Sequence, residues 1–98
     1  MSYSLLFKAE VEEDLAALST REKELVFKQF KKLAASPELG HSLGNKAGFD
    51  LSGYRKMYAD RKRIRIVYRI IDTRIEVEVV AVGKREEMEV YAKAAARR

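Results

Sequence analysis

The spacing of hydrophobic residues at the start of the chain predicts a strand followed by a helix. Between Tyr3 and Phe7 every second residue is aromatic or leucine, which is the period of a half-buried strand. Val11, Leu15 and Leu18 then recur at the three- and four-residue spacing of a helix face. We therefore expect a first strand over residues 3–7 and a short first helix after it.

A second, longer helix is predicted from its start and stop signals. Ser19 and Glu22 form a capping-box pattern, in which each side chain can bond the other residue's backbone N–H. The helix is expected to end before Pro37, because the residue ahead of a proline disfavours the helical region. Its apolar stripe consists of Val26, Phe30 and Leu33.

Three further strands and a last helix are predicted in the second half. A turn-rich, Gly-containing loop over residues 36–53 precedes strands over 54–59, 64–71 and 75–82, all rich in β-branched or aromatic residues. The short links at 60–63 and 72–74 require hairpins, so both pairs of strands are antiparallel. Gly83 ends the last strand, and Glu86, Glu87 and Glu89 favour a helix N-terminus before an Ala-rich segment to Ala96.

This order of elements predicts one α+β domain over residues 1–98. We expect a helical hairpin packed on a small, largely antiparallel four-stranded sheet, with a short C-terminal helix. With the helices on one side, the other face of the sheet would be open.

Composition excludes several classes of protein. The 98 residues are 47% hydrophobic and 36% charged, which is a globular balance and not that of a disordered chain. The sequence has no cysteine, so a disulfide scaffold, a thiol nucleophile and a thiolate metal site are excluded. It contains neither a long apolar run nor a secretory leader, so we expect a cytoplasmic protein with no membrane partner. No metal site or cofactor motif is found.

Positive charge is concentrated in the second half of the chain. Residues 1–50 carry seven Lys and Arg against eight Asp and Glu, whereas residues 51–98 carry thirteen against seven, a net charge of +6. An anionic partner is expected, with nucleic acid as the leading candidate.

Strand alternation brings part of this charge onto the predicted open face. If the Ile residues of strand 64–71 point towards the helices, Arg65 and Arg69 point away, and Lys56 and Tyr58 of the preceding strand join them. Aromatic rings among cations suit single-stranded RNA, whose bases stack on rings and whose phosphates pair with guanidinium groups. A solvated basic face that only maintains solubility is the alternative.

Motifs in the second half resemble the RelE family of the RelE/ParE superfamily. They are Lys56-Met57-Tyr58, Arg65-Ile66-Val67-Tyr68-Arg69-Ile70-Ile71-Asp72, Val82-Gly83-Lys84-Arg85-Glu86 and Glu89-Val90-Tyr91. The resemblance spans nearly the whole chain and includes the first strand and the helical hairpin. Members of the family are toxins of toxin–antitoxin pairs, and RelE-type toxins cut messenger RNA in the ribosomal A site.

The resemblance also implies a set of site residues. It makes Lys56 the first of two strand lysines, Arg65 the strand arginine, Arg85 the arginine after the glycine and Tyr91 the C-terminal tyrosine. The second strand lysine falls on Tyr58, a departure that neighbouring Lys62 or Arg63 would partly offset. Lys56, Arg65, Arg85 and Tyr91 are therefore the catalytic candidates. The RNA-binding candidates are Tyr58, Arg61, Lys62, Arg63, Arg69 and Lys84.

The predicted function is that of a type II toxin acting as a ribosome-dependent messenger-RNA endonuclease. RNA carries its own nucleophile, the 2'-hydroxyl, so cleavage needs a base, a phosphate clamp and a proton for the leaving oxygen, without a metal. Either Tyr91 or Lys56 could be the base. The expected partners are the ribosome, its messenger RNA and an antitoxin with an acidic amphipathic segment. The alternative is a ParE-type toxin that inhibits DNA gyrase without cutting RNA.

Overall fold

The computed structural model describes residues 2–46, 48–84 and 89–97. In chain order its elements are β1 (Ser4–Phe7), α1 (Val11–Ala16), α2 (Thr20–Ala35), β2 (His41–Lys46), β3 (Phe49–Ala59), β4 (Ile64–Ile71), β5 (Glu76–Lys84) and α3 (Glu89–Ala96). Short 3-10 turns follow α2 and β4, at Pro37–Leu39 and Asp72–Arg74. The predicted α+β class and the short C-terminal helix are confirmed. Glu86 and Glu87, which were expected to favour the start of that helix, lie outside the described residues.

Among the described residues the strands form one five-stranded sheet in the order β1-β5-β4-β3-β2. β1 pairs with β5 in parallel, and the other three pairs are antiparallel. The antiparallel pairing of β3 with β4 and of β4 with β5 is confirmed as the two short links predicted. The predicted count of four strands was wrong, because β2 lies within the segment assigned to a loop. Its sequence, HSLGNK, contains no β-branched residue, so pairing with β3 and not composition makes it a strand.

The sheet face covered by α1 and α2 holds the larger core, and we call it the helix-pair face. The stripe of α2 is buried there as predicted, against strand residues that include Met57, Ile66 and Val79. The predicted capping box is also present: the Glu22 N–H donates to the Ser19 hydroxyl at 3.1 Å, and the Ser19 N–H donates to the Glu22 carboxylate at 2.8 Å.

The opposite face was predicted to be open, but α3 packs on it. Val90, Tyr91 and Ala94 of α3 form a second core cluster with strand residues Leu51, Tyr54, Val67, Val80 and Ala81. β5 has a bulge opposite Val67 and Tyr68 of β4. Because of this bulge, two successive β5 residues, Val80 and Ala81, both belong to this cluster. We call this surface the α3 face.

Tyr68 fixes the segment between α2 and β2. Its buried hydroxyl donates to the Pro37 carbonyl at 2.6 Å and accepts from the Gly40 N–H at 2.9 Å. A side chain at position 40 would overlap the Tyr68 ring, so glycine is required there. This anchor holds β2 at the edge of the sheet next to β3.

No helix in the described part of the chain is long and apolar enough to cross a membrane.

Candidate active site

The pairing of β3 with β4 brings three of the predicted site residues together on the α3 face. Tyr58 lies directly opposite Arg65. Lys56, two residues before Tyr58 on β3, lies opposite Val67. Because side chains alternate across a strand, Lys56, Tyr58 and Arg65 share one side of the sheet. With Lys62 from the β3–β4 turn, they form a group that we call the Tyr58 cluster: Lys56, Tyr58, Lys62 and Arg65.

The Tyr58 hydroxyl is the centre of this cluster. The Lys56 ammonium donates to it at 2.8 Å and lies 5.0 Å from the ring centroid. The Lys62 ammonium lies 5.8 Å from the same centroid. The hydrogen bond from Lys56 lowers the pKa of Tyr58 below the ordinary tyrosine value; partial burial opposes this, and the charges of Lys56, Arg65 and Lys62 add to it. The cluster thus favours a phenolate at a position that solvent reaches.

Tyr91 lies next to the cluster but in a different environment. Its side chain is fully buried beneath α3, and its hydroxyl has no hydrogen-bond partner among the described residues. The Arg65 guanidinium lies 5.3 Å from the Tyr91 ring centroid, and the Lys46 ammonium lies 5.6 Å from it. Arg65 therefore connects the Tyr58 cluster with Tyr91. Sequence reasoning missed Lys46, because its strand, β2, was taken for a loop.

The β3–β4 turn presents the next group of cations. Arg61, Lys62 and Arg63 are exposed, and Asp60, Arg61 and Lys62 all have positive φ angles of 50–82°. Three successive non-glycine residues in this region cost conformational energy. An ion pair of 3.1 Å between Asp60 and Arg21 of α2 holds the turn in place.

A groove of about 480 Å³ runs between α2 and this turn. Its basic lining consists of Lys28, Lys32, Arg61 and Lys62, and Tyr58 also contributes to the lining. Lys28 and Lys32, four residues apart on one helix face, extend the positive surface beyond the predicted site. The helical spacing of these lysines is the sequence signal that would have located them.

Two predicted RNA-binding residues outside the cluster are held in ion pairs. Arg69 shares the α3 face but donates to Glu78 at 2.8 Å, which neutralises much of its charge. Lys84 pairs in register with Ile64 on the helix-pair face, and its ammonium lies 3.6 Å from Glu22 of α2. Arg85, a predicted catalytic residue, lies outside the described residues.

A buried carboxylate fastens α3 to the rest of the molecule. Asp14 of α1 accepts bonds from the Val82 N–H at 3.0 Å and from Arg97 at 2.7 Å, and Lys93 lies 3.3 Å away. Burial alone would raise the pKa of Asp14, but the bonds from Arg97 and Val82 and the nearby positive charges lower it below the ordinary value. We call these contacts the Asp14 latch. They fix the helix that carries Tyr91.

Comparison with known proteins gives consistent similarities along the chain. A family model for the ParE toxin of type II toxin–antitoxin systems matches residues 5–89. An Escherichia coli protein described as a RelE-like toxin is 29% identical over 94 residues, which are 93% of this chain and 92% of that protein.

Solved structures show the same similarity. Escherichia coli toxin RelE in the free state, with two arginines replaced by alanine, matches with a TM-score of 0.78 at 28% identity, covering 99% of this chain and 98% of that one. A chain of the RelBE2 toxin–antitoxin complex from Mycobacterium tuberculosis matches with a TM-score of 0.72 at 28% identity, covering 87% and 100%. The similarity therefore extends over both faces of the sheet.

Proposed function

Because the chain belongs to the ParE toxin family of type II toxin–antitoxin systems, within the RelE/ParE superfamily, we propose that it is a ribosome-dependent messenger-RNA endonuclease. The observation that carries this proposal is the Tyr58 cluster, where three cations surround a half-exposed aromatic ring on the α3 face. Such a surface fits RNA, whose bases stack on rings and whose phosphates attract cations. Similarity to toxin RelE over nearly the whole chain supports the same activity.

The proposed reaction uses the nucleophile that RNA itself carries. The 2'-hydroxyl loses a proton and attacks the adjacent phosphorus, and the bond from phosphorus to the 5'-oxygen breaks. The products are a 2',3'-cyclic phosphate and a 5'-hydroxyl. The protein must orient the phosphate, stabilise the charge that develops on its oxygens and provide a base.

Arg65 is the proposed phosphate clamp among the described residues. A guanidinium stays protonated and can donate two parallel hydrogen bonds to phosphate oxygens. Its position opposite Tyr58 and above the Tyr91 ring places this charge between the two tyrosines. By the RelE resemblance, Arg85 supplies a second guanidinium, and Arg61 and Lys62 in the turn bind flanking phosphates.

An antitoxin is the proposed protein partner. The matched Mycobacterium tuberculosis chain was solved in a toxin–antitoxin complex, and the C-terminal half of this chain carries the net charge of +6. An acidic, amphipathic segment would bind this charge and block access of RNA to the α3 face. Adding such a segment should inhibit RNA cleavage, and the inhibition should weaken without vanishing as salt rises. Binding that leaves cleavage unchanged would contradict this partner.

Mapping of transcripts after induction of the protein in bacterial cells tests the proposed activity. Primer extension should show discrete breaks within translated codons, and breaks should be absent from untranslated regions of the same transcripts. Intact transcripts together with an SOS response would contradict the proposal and would favour a gyrase-inhibiting toxin of the ParE type.

A further inference from the structure

Tyr58 and Tyr91 on the α3 face are unequal as proton acceptors. Tyr58 is partly exposed, and its hydroxyl accepts a 2.8 Å hydrogen bond from the Lys56 ammonium. The Tyr91 side chain is fully buried, and its hydroxyl meets no hydrogen-bonding group among the described residues. A substrate hydroxyl can therefore reach the first phenol but not the second in this conformation.

Lys56 acts in this geometry as a hydrogen-bond donor. Its ammonium is directed at the phenol oxygen, and a protonated amine that donates to a phenol stabilises the phenolate form of that phenol. The contact suits Lys56 for holding charge beside Tyr58 and not for taking up a proton itself.

The other charged groups around Tyr58 act in the same direction. Lys62 of the turn, whose ammonium lies 5.8 Å from the ring centroid, and Arg65 of β4, the register partner of Tyr58, both do so. Lys28 and Lys32 of α2 line the groove between α2 and the turn. Asp60 also lines that groove, but its carboxylate is paired with Arg21 at 3.1 Å. The positive charges of Lys56, Arg65 and Lys62 favour loss of the phenol proton.

We propose that Tyr58 is the general base of the RNA cleavage reaction. This inference rests on the proposed endonuclease function and deepens it, because it assigns the proton acceptor to the one cluster position that departs from the RelE pattern.

The Tyr58 phenolate takes the proton of the 2'-hydroxyl, and the 2'-oxygen forms a bond to phosphorus. The bond to the 5'-oxygen breaks, and this oxygen takes a proton from solvent water. The hydroxide left in the solvent then removes the proton from Tyr58, which restores the phenolate.

The direct test is cleavage of messenger RNA on programmed ribosomes by the Tyr58→Phe variant. Removal of the hydroxyl should lower the single-turnover rate about a hundredfold or more, because general base catalysis contributes that much. Binding of a non-cleavable RNA that lacks the reactive 2'-hydroxyl should be unchanged, since the ring remains. Tyr54→Phe is the matched control, because Tyr54 lies on the same strand and the same face, four residues away, and its rate should equal that of the native chain.

The pH dependence separates a base from a residue that only supports the fold. With the native chain, the rate should rise with pH up to the pKa of Tyr58 and then level off, because only the phenolate accepts a proton. Lys56→Met removes the charge that stabilises the phenolate, so the rising limb should move to higher pH. Tyr58→Phe should lose this limb, and Tyr58→Lys, which restores a side chain able to accept a proton, should recover part of the rate.

Absorbance titration of the protein alone gives a second readout that needs no ribosome. The pKa of Tyr58 is lowered, whereas burial raises those of Tyr3 and Tyr68 above the ordinary value. The absorbance change of Tyr58 should therefore begin at lower pH than those of Tyr3 and Tyr68, and it should be absent in Tyr58→Phe and present in Tyr54→Phe.

The failures of the two proposals are distinguishable. A native chain that cuts ribosome-bound RNA, combined with a Tyr58→Phe variant of native rate and native pH profile, would overturn the role of Tyr58 and leave the endonuclease intact. A native chain that leaves RNA uncut would overturn the endonuclease and the base together.

Discussion

The helix-pair face and the α3 face belong to the same sheet, yet they are built for different tasks. The helix-pair face is closed by two helices over a core in which Val26, Leu33, Ile66 and Val79 are fully buried. The α3 face is closed by one short helix over part of the sheet, and beyond it the Tyr58 cluster meets solvent. The comparison indicates that stability resides mainly on one face, and this leaves the other free to concentrate positive charge.

The contrast extends to how the covering helices are held. α2 has 16 residues, a capping box and a continuous apolar stripe. α3 has eight residues, and the Asp14 latch adds charged contacts to its three buried side chains. Loss of contacts should therefore have global effects on the helix-pair face and local effects on the α3 face.

Truncation in the helix-pair core should give the largest effect. Phe30→Ala should lower the free energy of unfolding by about 4 kcal/mol, a large part of the stability of a domain this size. Val90→Ala in α3 should cost about 1–2 kcal/mol, because it removes two carbon groups from a smaller cluster. Denaturant unfolding measures both values. Hydrogen exchange should show whole-domain opening in the first variant and opening confined to α3 in the second; the same exchange pattern in both would contradict the comparison.

Breaking the Asp14 latch should be the next largest effect. Asp14→Ala leaves Arg97 without its buried carboxylate, and we expect α3 to be destabilised by about 3 kcal/mol. Hydrogen exchange of the α3 amides measures this change. Glu13→Ala, an exposed neighbour on the same helix, is the control and should stay within about 0.5 kcal/mol of the native chain.

The latch also predicts the direction of the acid response. The pKa of Asp14 is lowered in the folded protein, so its contribution to stability is fully present above the unfolded value of about 3.9. The contribution is lost as pH falls through the folded pKa. Stability of the native chain should therefore decline more steeply below about pH 4 than that of Asp14→Ala. Parallel declines in the two proteins would show that the latch contributes nothing.

Removal of Arg65, the proposed phosphate clamp, should affect activity far more than stability. Arg65→Ala should slow RNA cleavage about a hundredfold, which corresponds to about 3 kcal/mol of transition-state stabilisation. Its free energy of unfolding should fall by about 1 kcal/mol or less, since the stacking on Tyr91 is lost. Arg74→Ala removes the same charge from the turn after β4, away from the cluster, and serves as the control for net charge. Equal cleavage rates in the two variants would remove Arg65 from the site.

The smallest effect is expected at the buried hydroxyl of Tyr91. Tyr91→Phe removes a polar atom that has no hydrogen-bond partner among the described residues, so the free energy of unfolding should change by less than about 0.5 kcal/mol. Thermal and denaturant unfolding of the two proteins measure the difference. A loss of 2 kcal/mol or more would mean that the hydroxyl has a partner in the folded protein.

Local patterns made most of the fold predictable. The Ser19–Glu22 capping box, the stripe of α2 and the short hairpin links depend on residues close together in sequence, and all were confirmed. β2 was missed because its strand conformation depends on pairing with β3. The covered α3 face could have been predicted from residues 77–82 of β5, whose almost unbroken apolar run is typical of a strand buried on both faces.

The site was predictable to the same extent. Strand alternation was enough to place Lys56, Tyr58 and Arg65 on one face, because the hairpin between β3 and β4 fixes their register. The latch was not predictable, since Asp14 and Arg97 are 83 residues apart in sequence and meet only because of where α3 packs. The burial of Tyr91 was missed for the same reason, because it depends on where α3 packs.

Cleavage of a messenger RNA with a single 2'-deoxy substitution tests whether the α3 face cuts RNA by means of the substrate's own 2'-hydroxyl. On programmed ribosomes, the unmodified RNA should be cut to a 2',3'-cyclic phosphate and a 5'-hydroxyl. The RNA that lacks only the 2'-hydroxyl next to the scissile phosphate should bind equally well and remain intact. Cleavage of the deoxy RNA at the normal rate would mean that water attacks the phosphorus, and it would contradict the account.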